Sequence, residues 1–150
     1  MRVLIQRAKD ASVTIDDKIN GAIDHGMVVL LGVGQDDDQS DANWLVQKII
    51  GLRIFNDAEG KMNLSSADVN GKFLVISQFT LHASTKKGNR PSYINAAKPD
   101  VAIPLYEYFV EQLKLVSNSD VQTGEFGADM KVALINDGPV TIWIDSKNRD

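Results

Sequence analysis

The sequence predicts a single α+β domain, built of mostly antiparallel strands with two main helices packed against them. Three observations lead there. Apolar residues alternating with period two mark strands at both ends of the chain. Two stretches with helical spacing interrupt them, so the order is strands, helix, strands, helix, strands, not the regular βα alternation of a parallel fold. The length of 150 residues suits one domain, which buries roughly 68–70% of its extended-chain surface.

Residues 3–8 and 12–15 carry the first strand signals, and Asp16-Asp17-Lys18 is the turn after the second. Residues 19–23 complete a small antiparallel meander. His25-Gly26 looks like a turn. Met27 to Val33 (MVVLLGV) is a nearly unbroken apolar run, the pattern of a central strand buried on both faces. Ser40 is the expected N-cap of a helix over 41–51, with Asp41 in the first turn, where the helix dipole favours an anion. Trp44, Leu45, Ile49 and Leu52 give that helix its apolar stripe.

Residues 52–55 and 61–64 flank Asn56-Asp57-Ala58-Glu59-Gly60, a hairpin loop. Phe73 to Ser77 (FLVIS) is another strand. Residues 82–98 are polar and contain Gly88 and Pro91; unpatterned stretches of that length are usually functional or mobile. Leu105, Phe109, Leu113 and Val116 mark a second helix, with Pro104 at its start or in its first turns. The last third returns to strands at 121–125, 131–136 and 140–145. Between the last two lies Asn136-Asp137-Gly138-Pro139, backbone punctuation between strands.

Composition narrows the function classes. Hydrophobic residues make up 43% and charged residues 24%, as in an ordinary soluble globule. There are no cysteines, which excludes disulfides, thiolate metal sites and a cysteine nucleophile. No apolar run approaches the ~20 residues of a membrane span, and residues 1–7 are interrupted too early for a signal peptide. A cytoplasmic protein without a membrane partner is expected. The net charge of −4 argues against a general nucleic-acid binder, and no DNA partner is expected. Charge is uneven, however. Asp36, Asp37, Asp38 and Asp41 form an acidic cluster, while Lys86, Lys87 and Arg90 form a basic one that can contact phosphates locally.

Candidate chemistry is sparse. Two histidines without paired spacing, and no cysteines, do not make a zinc set. Asp36-Asp37-Asp38 lacks the interleaved ligands and terminal Glu of a calcium loop and suits a solvated turn. Gly32-Val33-Gly34 follows a strand, but no third glycine or Lys-Ser/Thr follows to make a dinucleotide or phosphate loop. No metal or cofactor is expected. Ser77-Gln78-Phe79-Thr80-Leu81 ends a buried strand, where hydroxyls and an amide either build a site or merely satisfy strand-end backbone groups. A hydroxyl nucleophile needs a base. His25 suits a structural or solvated role. His82, two residues from Thr80 and on the same face if extended, makes a dyad thinkable, although no orienting carboxylate stands beside it.

Two motifs, Ser77-Gln78-Phe79-Thr80-Leu81 and Asn136-Asp137-Gly138-Pro139-Val140-Thr141, together resemble the signature of the D-aminoacyl-tRNA deacylases, enzymes that cut wrongly attached D-amino acids off tRNA. Leu52-Arg53-Ile54-Phe55, Gly60-Lys61-Met62-Asn63, Arg90-Pro91-Ser92 and Thr123 through Met130 look like further family blocks, in the right order along the whole chain. Tyr93 stands where the family pattern has phenylalanine.

The resemblance implies a barrel-like, dimeric α+β fold with the active site at the subunit interface. The Ser77–Thr80 loop of one subunit would face a cis Gly138-Pro139 of the other. The Gly-Pro carbonyls would hold the substrate's α-amino group and leave an L side chain no room, a rejection by clash that glycine escapes. Backbone N–H groups around Phe79 and Thr80 would form an oxyanion hole, and the ribose 2′-hydroxyl would help to activate water. Ser77 and Gln78 would position the adenosine and the loop. Phe126 and Met130 would line the pocket, and Lys86, Lys87 and Arg90 would contact tRNA. Two alternatives stand beside this reading: an RNA-binding module without catalysis, and an esterase using Thr80 as nucleophile.

Overall fold

A computed structural model describes residues 1–149. Its first two strands form one long hairpin. β1 (Arg2–Ile15) pairs antiparallel with β2 (Lys18–Gly32) across a two-residue turn. Asp16 and Asp17 both have positive φ there, 48° and 60°, the twist that a tight hairpin turn requires. The separate strands expected at 3–8 and 12–15, and at 19–23 and 27–33, are therefore halves of continuous strands. His25-Gly26 is not a turn. Gly26 lies inside β2 with φ +142°, where an added Cβ would sit 1.9 Å from the Lys72 carbonyl oxygen, so only glycine lets the neighbouring backbone approach.

Helix α1 (Gln39–Gly51) starts earlier than expected. Its N-cap is Asp38, not Ser40: the Asp38 carboxylate accepts from the Ser40 and Asp41 N–H groups, and Asp41 returns a bond to the Asp38 N–H at 3.0 Å. This reciprocal box satisfies donors that a serine at position 40 would leave bare. β3 (Phe55–Asn56) and β4 (Met62–Leu64) form the expected hairpin as a separate two-stranded sheet. β5 (Lys72–Ser77) follows, then a 3-10 turn at Phe79–His82, helix α2 (Pro99–Ser117), β6 (Val121–Thr123) and β7 (Lys131–Asp145). Pro104 lies inside α2, in its second turn, and Asn118 ends the helix in the left-handed region.

The main sheet has the order β6-β5-β2-β1-β7. Its longest pairings, β1 with β2 and β1 with β7, are antiparallel as expected, but the sheet is mixed: β5 runs parallel to β2, and β6 parallel to β5. Both parallel strands arrive by long connections, one containing α1 and the other α2, as parallel pairing requires. The sheet is open, with β6 and β7 as its edges, so the expected barrel is not closed. One face packs both helices over Val3, Ile5, Met27, Val29, Leu31, Phe73 and Val75. On the other, the coiled far ends of β1, β2 and β7 cover a smaller cluster around Val13, Val28, Leu74 and Ile76. Buried on both faces over residues 26–32, β2 is the central strand that its apolar run predicts.

Asp36-Asp37-Asp38 is not simply solvated. Asp37 is buried; its Oδ2 accepts from the Gly34 N–H at 2.5 Å and its Oδ1 from the Met1 ammonium. Asp41 is buried beside it. Burial alone would raise its pKa, but bonds from Lys147, the Asp38 N–H and Ser146 outweigh that and hold it at about 2. This cluster joins the chain's first residue, the start of α1 and the end of β7.

Candidate active site

The parallel strands β2 and β5 end at the same level, and the chain turns sharply after Ser77. The Gln78 N–H donates to the Leu31 carbonyl at 2.7 Å, and Arg2 Nη1 donates to the Leu81 carbonyl at 3.0 Å. Pinned at both ends, residues 78–82 form the 3-10 turn. A helical N-terminus leaves its first N–H groups without intrahelical acceptors; those of Phe79 and Thr80 meet no acceptor among the described residues. Beside the turn opens a cleft of about 250 Å³, lined by Ser77, Gln78 and Phe79 on one side and Phe126 and Met130 on the other. Sequence reasoning assigned all five to one site, and the fold brings them together.

Thr80 does not line this cleft. Its hydroxyl accepts from the Gln78 side-chain amide. His82 is buried against Gly32 and Gly34 and makes no hydrogen bond to Thr80, so the dyad is not formed. The 3-10 turn ends the alternation on which that pairing depended. His25, as expected of a structural residue, places Nε2 2.8 Å from the Val69 carbonyl.

Residues the sequence did not single out also matter. Leu31, Val33, Ala97 and Ala102 floor the cleft, with Asp129 at its rim. Met130 is seated over Gly124, where an added Cβ would lie 2.3 Å from its sulfur. Phe126 meets Tyr106 edge-on at 6.0 Å, and burial pushes the Tyr106 hydroxyl above its ordinary pKa while it donates to the Val75 carbonyl at 2.9 Å. At the mouth, Phe79 meets Tyr93 edge-on at 5.0 Å, linking the turn to the long polar loop.

Gly138 and Pro139 stand elsewhere. The sequence places them between two strands; the structure makes them a bulge in one continuous strand, β7. Gln6 pairs with Thr141 and Ala8 with Asn136, so Asp137, Gly138, Pro139 and Val140 stand opposite Arg7 alone. The Asn136 side chain closes the bulge, accepting from the Val140 N–H at 3.0 Å and donating to Thr141 Oγ1 at 2.9 Å. Gly138 and Pro139 project from it, exposed and joined by a cis peptide bond. Neither lines the cleft of its own chain.

Arg7 organises this bulge. It is 6% exposed, and its guanidinium donates to the Asp137 carbonyl at 2.8 Å, the Ile54 carbonyl at 2.7 Å and Asn56 Oδ1 at 3.2 Å. A Cβ on Gly138 would lie 2.8 Å from Arg7 Nη2. The signal was present in the sequence: period two puts Arg7 on the same face as Val3 and Ile5, and a cation on a core face needs partners.

Lys86, Lys87 and Arg90 are exposed and make no ion pair with any described residue. Mutual backbone bonds between Ser84 and Ser92, 2.8 and 2.9 Å, pinch off the loop tip that carries all three.

A family model described as D-Tyr-tRNA(Tyr) deacylase matches residues 4–145. The chain belongs to that family. It is 61% identical to a D-aminoacyl-tRNA deacylase of Flavobacterium psychrophilum and 59% identical to one of Bacteroides fragilis, over 150 residues and all of each chain. Among solved structures, one titled c-Myc DNA Unwinding Element Binding Protein is 38% identical, covers 97% of this chain and 98% of its own, and superimposes with a TM-score of 0.91. A second, titled as a probable eukaryotic D-amino acid tRNA deacylase, shares 17% identity over 95% of this chain and 97% of its own; its TM-score of 0.83 supports the fold.

Proposed function

We propose that the protein hydrolyses the ester joining a D-amino acid to the 3′ end of tRNA, and that two copies form the working enzyme. The observation that carries this is the separation of the two motifs. The cleft beside Ser77–Phe79 has backbone donors unpaired among the described residues but no Gly138-Pro139 wall, and the exposed Gly138 and Pro139 do not line the cleft of their own chain. A second copy supplies the missing half. Exposed Phe79, Ile135 and Trp143, with β7 as an open sheet edge, support such an interface.

In this reading water attacks the ester carbonyl, and the tetrahedral oxyanion accepts bonds from the Phe79 and Thr80 N–H groups, each worth on the order of 10²–10³-fold. The terminal 2′-hydroxyl activates the water, and the 3′-oxygen leaves with a proton. Ser77 and Gln78 position the adenosine, and Phe126 and Met130 line the amino-acid side of the pocket. The partner's Gly-Pro carbonyls take the α-amino group. An L side chain then meets the Gly-Pro wall, whereas a D side chain points away. Lys86, Lys87 and Arg90 contact tRNA phosphates. Nothing in this scheme calls for a metal or cofactor.

The deciding experiment compares deacylation of matched D- and L-tyrosyl-tRNA, with glycyl-tRNA as a third substrate. D-ester hydrolysis, sparing of the L-ester and partial attack on glycyl-tRNA are expected; equal D and L rates would refute the filter. Sedimentation should show a dimer at assay concentrations. Full activity from a monomer would refute the shared site.

A further inference from the structure

The proposed chemistry leaves His82 unused, although it is the last residue of the turn and 6% exposed. Its ring occupies a slot that exists because residues 32 and 34 lack side chains. A Cβ on Gly34 would lie 2.9 Å from His82 Cε1, and one on Gly32 would lie 3.1 Å from Cδ2. The Gly32 Cβ would also lie 2.9 Å from the Gln78 carbonyl and 3.0 Å from Leu81 Cβ. The end of β2 is thus shaped to receive both ends of the turn. His82 also borders a second cavity of about 210 Å³, which shares Arg2, Asp37 and Asn95 and lies apart from the substrate cleft.

One atom shows what the ring contributes. His82 Nε2 is buried without a hydrogen-bond partner among the described residues, a rare condition for a native polar group. At that nitrogen the ring contributes bulk and shape, not a bond. We propose that His82 is a positioning residue, an imidazole wedge between the Phe79–His82 turn and the Gly32/Gly34 backbone that fixes where the Phe79 and Thr80 N–H groups point. The inference rests on reading this turn as the catalytic loop. A donor misplaced by a fraction of an ångström loses rate without losing substrate affinity, so the wedge acts on kcat more than on KM.

The ring also faces charges. Burial lowers its pKa from the ordinary value; Arg2 and the Met1 ammonium push the same way, while the Gly32 carbonyl and Asp37 oppose. Asp36, Asp145 and Lys147 complete the charged lining of the adjoining cavity. Acidification places a cation in the slot and loosens the wedge.

The test uses the full-length protein and D-tyrosyl-tRNA. Wild-type turnover checks the deacylase reading itself, independently of any His82 or Gly34 variant. His82→Ala should lower kcat about tenfold or more with KM changed by less than about threefold. His82→Phe, which keeps a planar ring, should restore kcat to within about threefold of wild type and remove the part of the acid decline that His82 titration causes. Gly34→Ala should lower kcat by displacing the ring, and adding it to His82→Ala should cost little more, since with the ring gone only Asp37 Oδ2, 3.2 Å from the added Cβ, must give by a few tenths of an ångström. If His82→Ala fails to fold, Phe rescue and the Gly34→Ala result decide. The proposal is overturned if folded His82→Ala keeps kcat within about twofold, if His82→Phe is as impaired as His82→Ala, or if the two losses simply add.

Discussion

Arg7 Nε donates to the Asp137 backbone carbonyl at 2.8 Å, and through this bond the buried face of β1 holds the bulge that carries Gly138 and Pro139. The same guanidinium holds the Ile54 carbonyl and Asn56 Oδ1. Hairpin, first strand and bulge therefore meet on one side chain. A planar fork can serve these acceptors together, and a lysine cannot.

Arg7→Lys should accordingly fold but loosen the bulge. Its expected signature is a rise in L-tyrosyl-tRNA hydrolysis relative to the D-ester, with D-ester turnover less affected. Arg7→Ala leaves buried acceptors unpaired and should destabilise the fold by about 2–4 kcal/mol, read from denaturant unfolding. Unchanged D/L selectivity in a folded Arg7→Lys protein would separate the bulge from chiral discrimination.

The pinched loop tip gives a different kind of prediction. Lys86 and Lys87 are exposed and far from the core, so reversing both to glutamate should leave thermal stability within about 0.5 kcal/mol of wild type. Binding to tRNA should weaken, and the slope of log affinity against log salt should become shallower, because fewer counterions are released. An unaltered salt slope would mean that the tip only faces solvent.

How far the sequence carried this site depends on what kind of residue was involved. Met27 to Val33 identified the central strand because burial on both faces leaves no other pattern. Ser77 through Phe79, Phe126 and Met130 were assigned through motif resemblance, and the fold gathers them around one cleft. Long-range bonds were harder to see. Period two marks Arg7 as a cation on a core face, but nothing near Gly138 says that its bulge is the partner, and nothing near Gly26 announces the Lys72 backbone. The parallel pairing of β5 was missed because local alternation is blind to strand direction. Ser40 looked like a cap by type, but Asp38 satisfies more of the helix's free donors.

Acid should weaken the junction of Met1, α1 and β7. Asp41 is held at about 2 against an ordinary 3.8, so in the unfolded chain it binds a proton more readily. Its contribution, about 2 kcal/mol, is present above pH 4 and is lost as pH falls through the folded value. Asp41→Asn should therefore lower stability at neutral pH and flatten the pH dependence between about 4 and 2. Unfolding curves recorded across that window would show it; a variant with wild-type acid sensitivity would place the acid-labile group elsewhere.

Thr80 decides between two chemistries. Were its hydroxyl the nucleophile, Thr80→Val would nearly abolish turnover, and an aminoacyl ester could be trapped on the enzyme. The geometry argues otherwise. The hydroxyl accepts from Gln78, lies outside the cleft lining and has no imidazole partner, since His82 is packed on Gly32 and Gly34. Thr80→Val should keep substantial activity, with the loss limited to that of one side-chain bond, about 1 kcal/mol or roughly fivefold in rate. Replacing the terminal 2′-hydroxyl of the tRNA with hydrogen should cost much more, because that group is proposed to activate the water. Single-turnover deacylation of both substrates by both proteins gives the comparison. A trapped ester on Thr80, or a Thr80→Val loss larger than the 2′-deoxy loss, would restore the hydroxyl as nucleophile and require a base that the cleft does not offer.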